Sequence, residues 1–411
     1  MPPVTVHSLG CKVNQAESAW LEDELASFAP QKPLALLFTC AVTASASRRS
    51  RQMARRLAAG HEQVVVTGCD VQAHPEKYAG FSILSRAALA EAPELVRNLV
   101  ALPQILEVPP PPESGAFVPG RRKPSLHRTR AQLKVQDGCD AHCAYCIVPH
   151  TRGKPRSLSL AQAQAAFHAL GEAGAREVVL SGIHLGRYQI DADPEPLLTL
   201  LQSLLKAHPL PRLRLSSLEA GEISIPLLEF MAGEARICPH LHLPLQSGSD
   251  RVLAAMGRTY DRAFYARQVE KAASLLPGLC VGADVLVGLP GEEDEDFRQT
   301  FELLLRLPVN YLHVFPYSPR PGTKAAAMPG RPPGPAARER AEELRRLGKE
   351  KWLNYLEKQK GGTLQVLVES DGLGRAENYC PVKAPPGSRP GQIIGHTVSG
   401  VHYAKKRAYL E

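Results

Sequence analysis

Apolar residues in the first hundred positions fall in short continuous runs, separated by stretches with helical spacing. Val4–Leu9, Leu34–Thr39 and Gln63–Thr67 are three such runs. Runs of this length suit strands of a covered sheet, and strand–helix alternation predicts parallel order. The same rhythm returns from residue 125 onward. Six strands are predicted there, at Ala131–Gln136, Glu177–Ser181, Arg212–Ser216, His240–Leu245, Cys280–Val287 and Tyr311–Phe315. Helical patterns lie between them, for example over Ser159–Glu172 and Glu293–Arg306. Six βα units predict a partial barrel, whose chemistry should gather at the C-terminal strand ends. Past residue 362, Thr363–Val368 and Gln392–Val398 are rich in β-branched residues and predict a small β-unit.

Two proline-rich stretches divide the chain, Val108–Pro124 and Pro319–Pro335. Proline lacks the backbone donor, so neither stretch suits the inside of a helix or sheet. Strong helix formers fill Ala336–Lys360, and Gly361-Gly362 predicts the helix end. The expected organisation is α/β. An N-terminal parallel α/β domain spans 1–107 and a proline-rich linker 108–124. A central (β/α)6 barrel spans 125–335, a helical linker 336–361 and a short C-terminal β-barrel 362–411.

The chain has 411 residues, 44% of them hydrophobic and 22% charged, which fits two or three globular domains. No run reaches the roughly 18 apolar residues of a membrane span, and the start lacks a basic-then-apolar leader. A cytoplasmic location is expected. Net charge is +8, which suits a polyanion partner. Candidate contacts are Arg121, Arg122, Lys123, Arg128, Arg130 and Lys134, and Lys405, Lys406 and Arg407 beside Tyr403 and Tyr409. Basic groups pair with phosphates, and aromatic rings stack on unpaired bases.

Nine cysteines, an odd number, exclude a complete internal disulfide framework. Cys139, Cys143 and Cys146 form C-x3-C-x2-C at the end of the first barrel strand. Three thiolates within eight residues can wrap one iron–sulfur cubane and leave one iron open. Zinc sites favour two separated C-x2-C pairs, so zinc fits poorly. Cys11, Cys40 and Cys69 are each 29 residues apart and each follows a predicted strand. One βα unit takes about 30 residues, so the three belong at one edge of one sheet. Cys238, Cys280 and Cys380 show no pattern and read as packing residues. His240 and His242 share a strand face and read as barrel interior. The acidic Glu292–Asp296 reads as a helix N-terminus.

With these residues in place, the sequence resembles the methylthiotransferase family of radical S-adenosylmethionine (SAM) enzymes over nearly its whole length. The resemblance rests on the six cysteines, on Ser8–Gln15, Val66–Cys69 and Gln136–Cys139, and on Cys146–Gly153, Leu245–Ser249 and Gly288–Glu292. Gly10-Cys11-Lys12-Val13-Asn14-Gln15 resembles the MtaB-type branch, which modifies N6-threonylcarbamoyladenosine beside the tRNA anticodon; Ser47–Arg51 and Met256–Tyr260 fit it too. Two departures stand out. Phe38-Thr39-Cys40 replaces the usual Asn-Thr-Cys, and the C-terminal piece is shorter than the family's RNA-binding TRAM domain.

The resemblance implies two [4Fe–4S] clusters and SAM as cofactors. It assigns Cys139, Cys143 and Cys146 to the cluster that cleaves SAM, and Cys11, Cys40 and Cys69 to one that delivers sulfur. Tyr145, Ser181, Gly182, Glu219, Gln246, Ser247 and Asp284 become the candidates for the SAM pocket. The implied partners are a tRNA anticodon stem-loop, a reducing electron donor and a sulfur source, with no membrane. Rival readings are the same chemistry on isopentenyladenosine in tRNA or on a ribosomal-protein aspartate. A non-catalytic, metal-containing RNA-binding protein is the rival from another class.

Overall fold

The computed structural model describes residues 4–30, 32–98, 129–370, 372–404 and 407–411. The proline-rich stretch 108–124 and the basic residues Arg121, Arg122, Lys123, Arg128, Lys405 and Lys406 lie outside them.

The N-terminal domain is a parallel sheet in chain order, β1 (Val4–Ser8), β2 (Leu34–Thr39), β3 (Gln63–Gly68) and the short β4 (Ser82–Ile83). Helices α1 (Lys12–Glu24), α2 (Ala44–Ala58) and α3 (Cys69–Ala73) start immediately or a few residues after the first three strands, and α4 (Ala92–Asn98) closes the domain. β2 is buried along its whole length because it is the sheet's interior and both faces are covered. Its Leu34, Leu36 and Phe38 pack on one face and Ala35 and Leu37 on the other.

The barrel begins with β5 (Arg130–Lys134) and a small ribbon, β6 (Gln136–Asp137) and β7 (Arg156–Ser157), that brackets a loop and α5 (Val148–Arg152). The single strand expected over Ala131–Gln136 is thus divided between β5 and β6. The barrel continues as α6 (Leu160–Glu172), β8 (Glu177–Ser181), α7 (Pro196–Ala207), β9 (Leu213–Leu215), α8 (Ile225–Gly233) and β10 (His240–His242). It ends with α9 (Asp250–Ala255), α10 (Arg262–Leu275), β11 (Cys280–Val287), α11 (Asp294–Arg306), β12 (Tyr311–Pro316) and α12 (Lys324–Ala327). The six long-range strands run parallel as β5-β8-β9 and β10-β11-β12, joined where Cys238 N donates to Leu213 O at 2.9 Å. Alternation sorts the side chains. Val281, Ala283, Val285 and Val287 of β11 are buried against the helices. Gly282, Asp284 and Leu286 face the barrel axis.

The helix expected over 336–361 is α13 (Gly334–Glu357), packed along β12, with Ala341, Leu344 and Leu347 buried in the barrel core. Its apolar stripe covers strand faces that a free linker would leave wet.

The C-terminal unit has β13 (Thr363–Val368), β14 (Leu373–Ala376), β15 (Pro381–Lys383), β16 (Ile393–Thr397), β17 (Val401–Ala404) and β18 (Arg407–Leu410). They pair in the order β16-β13-β14-β15-β18-β17, antiparallel except for β15 with β18. This unit abuts the N-terminal ends of the barrel strands. Arg214 donates to the carbonyls of Ala376 and Glu377 while paired to Glu177. Cys280 and Cys380 are buried together in that contact, and Cys238 is buried nearby in the barrel, so all three are packing residues.

Candidate functional site

The loop between β6 and α5 carries Cys139, Cys143 and Cys146. Gly138 makes its entry possible: φ is +76° and a Cβ would lie 2.0 Å from Lys154 O, so only glycine fits. Cys139 N then donates to Gly153 O at 3.0 Å, pinning both loop ends. Burial, the larger cause, and the neighbouring Cys143 and Cys139 push the Cys146 thiol up to about 12. A half-buried thiol raised this far stays protonated at neutral pH unless a metal binds it.

Two polar chains converge on these thiols. His184 Nδ1 lies 3.3 Å from Cys139 Sγ, and His184 Nε2 lies 2.6 Å from Glu222 Oε1. Burial lowers the His184 pKa, but the thiol and the carboxylate outweigh it and hold the value at about 9. Arg258 Nη1 donates to Cys143 Sγ at 3.4 Å, and its other terminal nitrogen pairs with Glu219. His184, Glu219, Glu222 and Arg258 line a cavity of about 610 Å³ that opens beside Asp140 and Cys143. Glu219 was legible from its strand-end position. His184 and Glu222 were not, because nothing in their local spacing marks them, and Arg258 was marked only as part of Met256–Tyr260, with no role at this site.

The other SAM-pocket candidates scatter. Tyr145 packs against the apolar cluster of Ala144, Val252, Met256 and Leu289, beside the cysteine loop. Ser181 is fully buried, and its hydroxyl donates to Leu133 O at 3.4 Å. Gly182 leaves room for Gln136, which accepts from His184 N at 2.8 Å and so ties the histidine loop to the cysteine loop. Gln246 has φ +67° and joins β11 through Asp284 O and Leu286 N. The Ser247 hydroxyl is spent on Thr300 and Ser249. Asp284 stands inside the barrel, 3.0 Å from His242 Nε2 and 3.2 Å from His313 Nδ1. Burial raises its pKa, but the two imidazoles outweigh that and hold it well below the usual carboxylate range. His240 and His242 are interior, as expected, and both meet Tyr311 Oη.

Cys11, Cys40 and Cys69 sit at the C-terminal edge of the N-terminal sheet. Gly68 (φ +98°) turns β3 into α3 where any Cβ would lie 2.6 Å from Thr39 N and O. Gly10 (φ +96°) comes so close to Cys40 that a Cβ would sit 2.7 Å from its Sγ. Equal spacing therefore does bring these loops to one place. Burial pushes Cys40 up to about 11, with further contributions from Cys69 and Cys11.

A buried ion network lies beneath this triad. Arg152 Nη1 is 2.7 Å from Asp137 Oδ1 and 3.2 Å from Glu17 Oε1. Lys134 Nζ is 2.8 Å from Glu17 and 3.0 Å from Asp137, and Arg86 joins at 2.9 Å from Glu17. Lys134, a candidate phosphate contact by sequence, is thus only 2% exposed and committed internally. Arg130, from the same cluster, pairs with Glu369. The residue type alone could not distinguish a barrel-lining lysine from a surface one.

Both triads suit an iron–sulfur cluster by donor chemistry, and buried donors without partners support the fit. Arg152 Nε, which neighbours the charges of Cys69 and Cys11, and Arg258 Nε beside Cys143 have no acceptor. Cluster sulfides are acceptors.

A basic surface not singled out for RNA contact in the sequence runs along α2. Arg48, Arg49, Arg55 and Arg56 are exposed on one helix that starts four residues after Cys40. At the C-terminus, Tyr403 is exposed and donates to Glu357, and Tyr409 stacks on His402.

Residues 133–304 match the Radical SAM superfamily, and residues 3–83 match an uncharacterized protein family, UPF0004. The chain is 34% identical to the threonylcarbamoyladenosine tRNA methylthiotransferase MtaB of Aquifex aeolicus, over 95% of this chain and 98% of that one. It is 33% identical to the MtaB of Rickettsia prowazekii, over 98% and 96%. It is also 30% identical to the tRNA-2-methylthio-N(6)-dimethylallyladenosine synthase of Bartonella tribocorum, over 95% and 92%. In fold it is similar to the radical SAM methyltransferase TsrM of Kitasatospora setae, with a TM-score of 0.57 and 17% identity over 79% of this chain and 77% of that one. Among the described residues, no helix is long and apolar enough to cross a membrane.

Proposed function

Since the chain belongs to the tRNA methylthiotransferases, which are radical SAM enzymes using SAM and [4Fe–4S] clusters, we propose that it converts N6-threonylcarbamoyladenosine at position 37 of tRNA to its 2-methylthio form. The observation that carries this reading is the pairing of two cysteine triads, one after β6 and one at the N-terminal sheet edge, joined by the Glu17–Arg152–Asp137 network.

The chemistry explains the need for two sites. C2 of an adenine ring carries no acidic proton and no leaving group, so acid–base groups alone are insufficient. Bound clusters would supply an electron for SAM cleavage at Cys139, Cys143 and Cys146, and sulfur at Cys11, Cys40 and Cys69.

This chain's own residues do the holding. The cavity beside Cys143 offers Arg258 and His184 as cations and Glu219 and Glu222 as carboxylates, which complements the zwitterionic amino-acid end of SAM. Tyr145 closes the apolar side of the cysteine loop, packing against the cluster of Ala144, Met256 and Leu289. His242, Asp284 and His313 present polar groups toward the barrel axis. The α2 arginines and the C-terminal aromatics fit an anticodon stem-loop. A reductant and a sulfur source are required as further partners. A soluble, cytoplasmic enzyme follows from this substrate.

Isopentenyladenosine is the second reading, favoured by the similarity to the Bartonella synthase. Reconstituted protein given SAM, a reductant and anticodon stem-loops bearing either nucleoside separates them. Methylthiolation of the threonylcarbamoyl stem-loop is expected. Reaction on the isopentenyl stem-loop alone overturns the proposal.

A further inference from the structure

Arg152 belongs to the barrel domain, yet its guanidinium serves the cysteines of the other domain. It ends α5, directly after the Cys139–Cys146 loop, and is inaccessible to solvent. Nη2 donates to Asn14 Oδ1 at 2.6 Å. Asn14 in turn donates to Leu9 O at 2.8 Å and Thr39 O at 2.9 Å, the segments that precede Cys11 and Cys40. On the other side Nη1 reaches Asp137, whose Oδ1 accepts from Gly138 N at 2.8 Å, one residue before Cys139. α3, which begins with Cys69, packs on α5, and Cys69 clusters with Ala41 of the Cys40 loop and Ile147 at the start of α5. A single side chain therefore bridges the backbones of both cysteine sets.

Arg86, Lys134 and Arg152 are buried against Glu17 and Asp137, and the half-buried Arg156 lies 3.5 Å from Asp137. A buried donor left without an acceptor is costly. The Nε of Arg152 and of Arg86 are buried donors without acceptors. Three thiolates on a cubane core of two positive charges leave one negative charge, an acceptor for such donors. Thiolates at Cys11 and Cys69 would lie within electrostatic reach of Arg152 and favour its charged form.

We propose that Arg152 is the positioning residue and neighbouring cation of a cluster held by Cys11, Cys40 and Cys69, donated across the domain boundary so that the two cysteine sites are electrostatically linked. This rests on reading those cysteines as cluster ligands. Reduction adds an electron, and a nearby cation favours the reduced form, so removing that cation lowers the reduction potential. Removing a network carboxylate does the reverse.

The test uses full-length protein carrying Cys143→Ala, reconstituted anaerobically, so that one cluster remains. Potentiometric titration followed by electron paramagnetic resonance reads its potential. Arg152→Gln is expected to lower the potential and Glu17→Gln to raise it. Arg152→Lys keeps the charge and is expected to stay nearer the parent. A merely structural role moves both glutamine variants in the same direction or neither, and either result overturns the proposal. If Arg152→Gln loses its iron, Arg152→Lys must restore it and Glu17→Gln must still raise the potential; failure of either also overturns it. A Cys143→Ala parent with no iron defeats the cluster reading itself, a separate failure visible before any titration.

Discussion

The guanidinium of Arg152 donates to the side-chain oxygen of Asn14 at 2.6 Å, across the boundary between the barrel and the N-terminal domain. The Asn14 side-chain nitrogen is also spent, on the carbonyls of Leu9 and Thr39. Two domains that carry different cysteine sets are thereby held in one register.

Asn14→Ala is expected to remove the donor to the buried Thr39 O and to leave Arg152 Nη2 only its longer contact with Glu17 at 3.4 Å. A buried group left unpaired costs about 1–3 kcal/mol. Urea unfolding of the apoprotein should show a lower midpoint, and iron content after reconstitution should fall by the share held at Cys11, Cys40 and Cys69.

Acid should weaken the same network in a defined window. Burial raises the Glu17 and Asp137 pKa values, but Arg152, Lys134 and Arg86 outweigh that and hold both carboxyls below their ordinary 4.5 and 3.8. A carboxylate with a depressed folded value contributes stability above its unfolded value and loses it as pH falls toward the folded one. Urea midpoints of the wild-type apoprotein are expected to be steady for this network from pH 7 to about 5 and to drop below about pH 4. In Asp137→Asn the drop should be shallower, although the midpoint at pH 7 is lower.

Two glycines should separate the two cysteine sites. Gly68→Ala forces a Cβ to 2.6 Å from the Thr39 backbone at φ +98°, which displaces Cys69. Gly138→Ala forces one to 2.0 Å from Lys154 O, which displaces Cys139. Both variants are expected to hold about four irons against about eight in the wild type. Gly68→Ala should keep the cleavage of SAM to 5′-deoxyadenosine, and Gly138→Ala should lose it. Chromatographic assay of that product, beside iron content, checks both.

The α2 arginines should contribute charge rather than sequence reading. Arg55→Gln with Arg56→Gln is expected to weaken tRNA binding. The slope of log K against log salt should shrink by about 1 for each phosphate these arginines neutralise. Filter binding across a salt series reads this. An unchanged slope would place the tRNA elsewhere.

Much of this was legible in the sequence. β2 falls on its apolar run, because a strand covered on both faces calls for apolar side chains on both, and β8 and β11 fall on the apolar runs that hold Glu177 and Asp284. The six cysteines were legible from spacing, since equal βα units return the chain to the same sheet edge. What escaped was whatever depends on direction. Lys134 is a lysine on a strand, and only the pleat shows that it points into the network and not to solvent. His184, Glu222 and Arg258 come from three separate loops, and no one-dimensional pattern brings them together. The helix at 334–357 is legible as a helix but not as part of the barrel, because its proline-rich start hides the stripe that packs on β12.

The identity of the modified nucleoside is tested most directly on cellular tRNA. Digested tRNA from a strain lacking its own tRNA methylthiotransferases, with and without this chain expressed, can be compared by mass spectrometry. 2-Methylthio-N6-threonylcarbamoyladenosine is expected to appear with the chain and to vanish with Cys143→Ala. Appearance of only the isopentenyl counterpart, or no methylthio nucleoside from an iron-loaded protein, would contradict the proposed function.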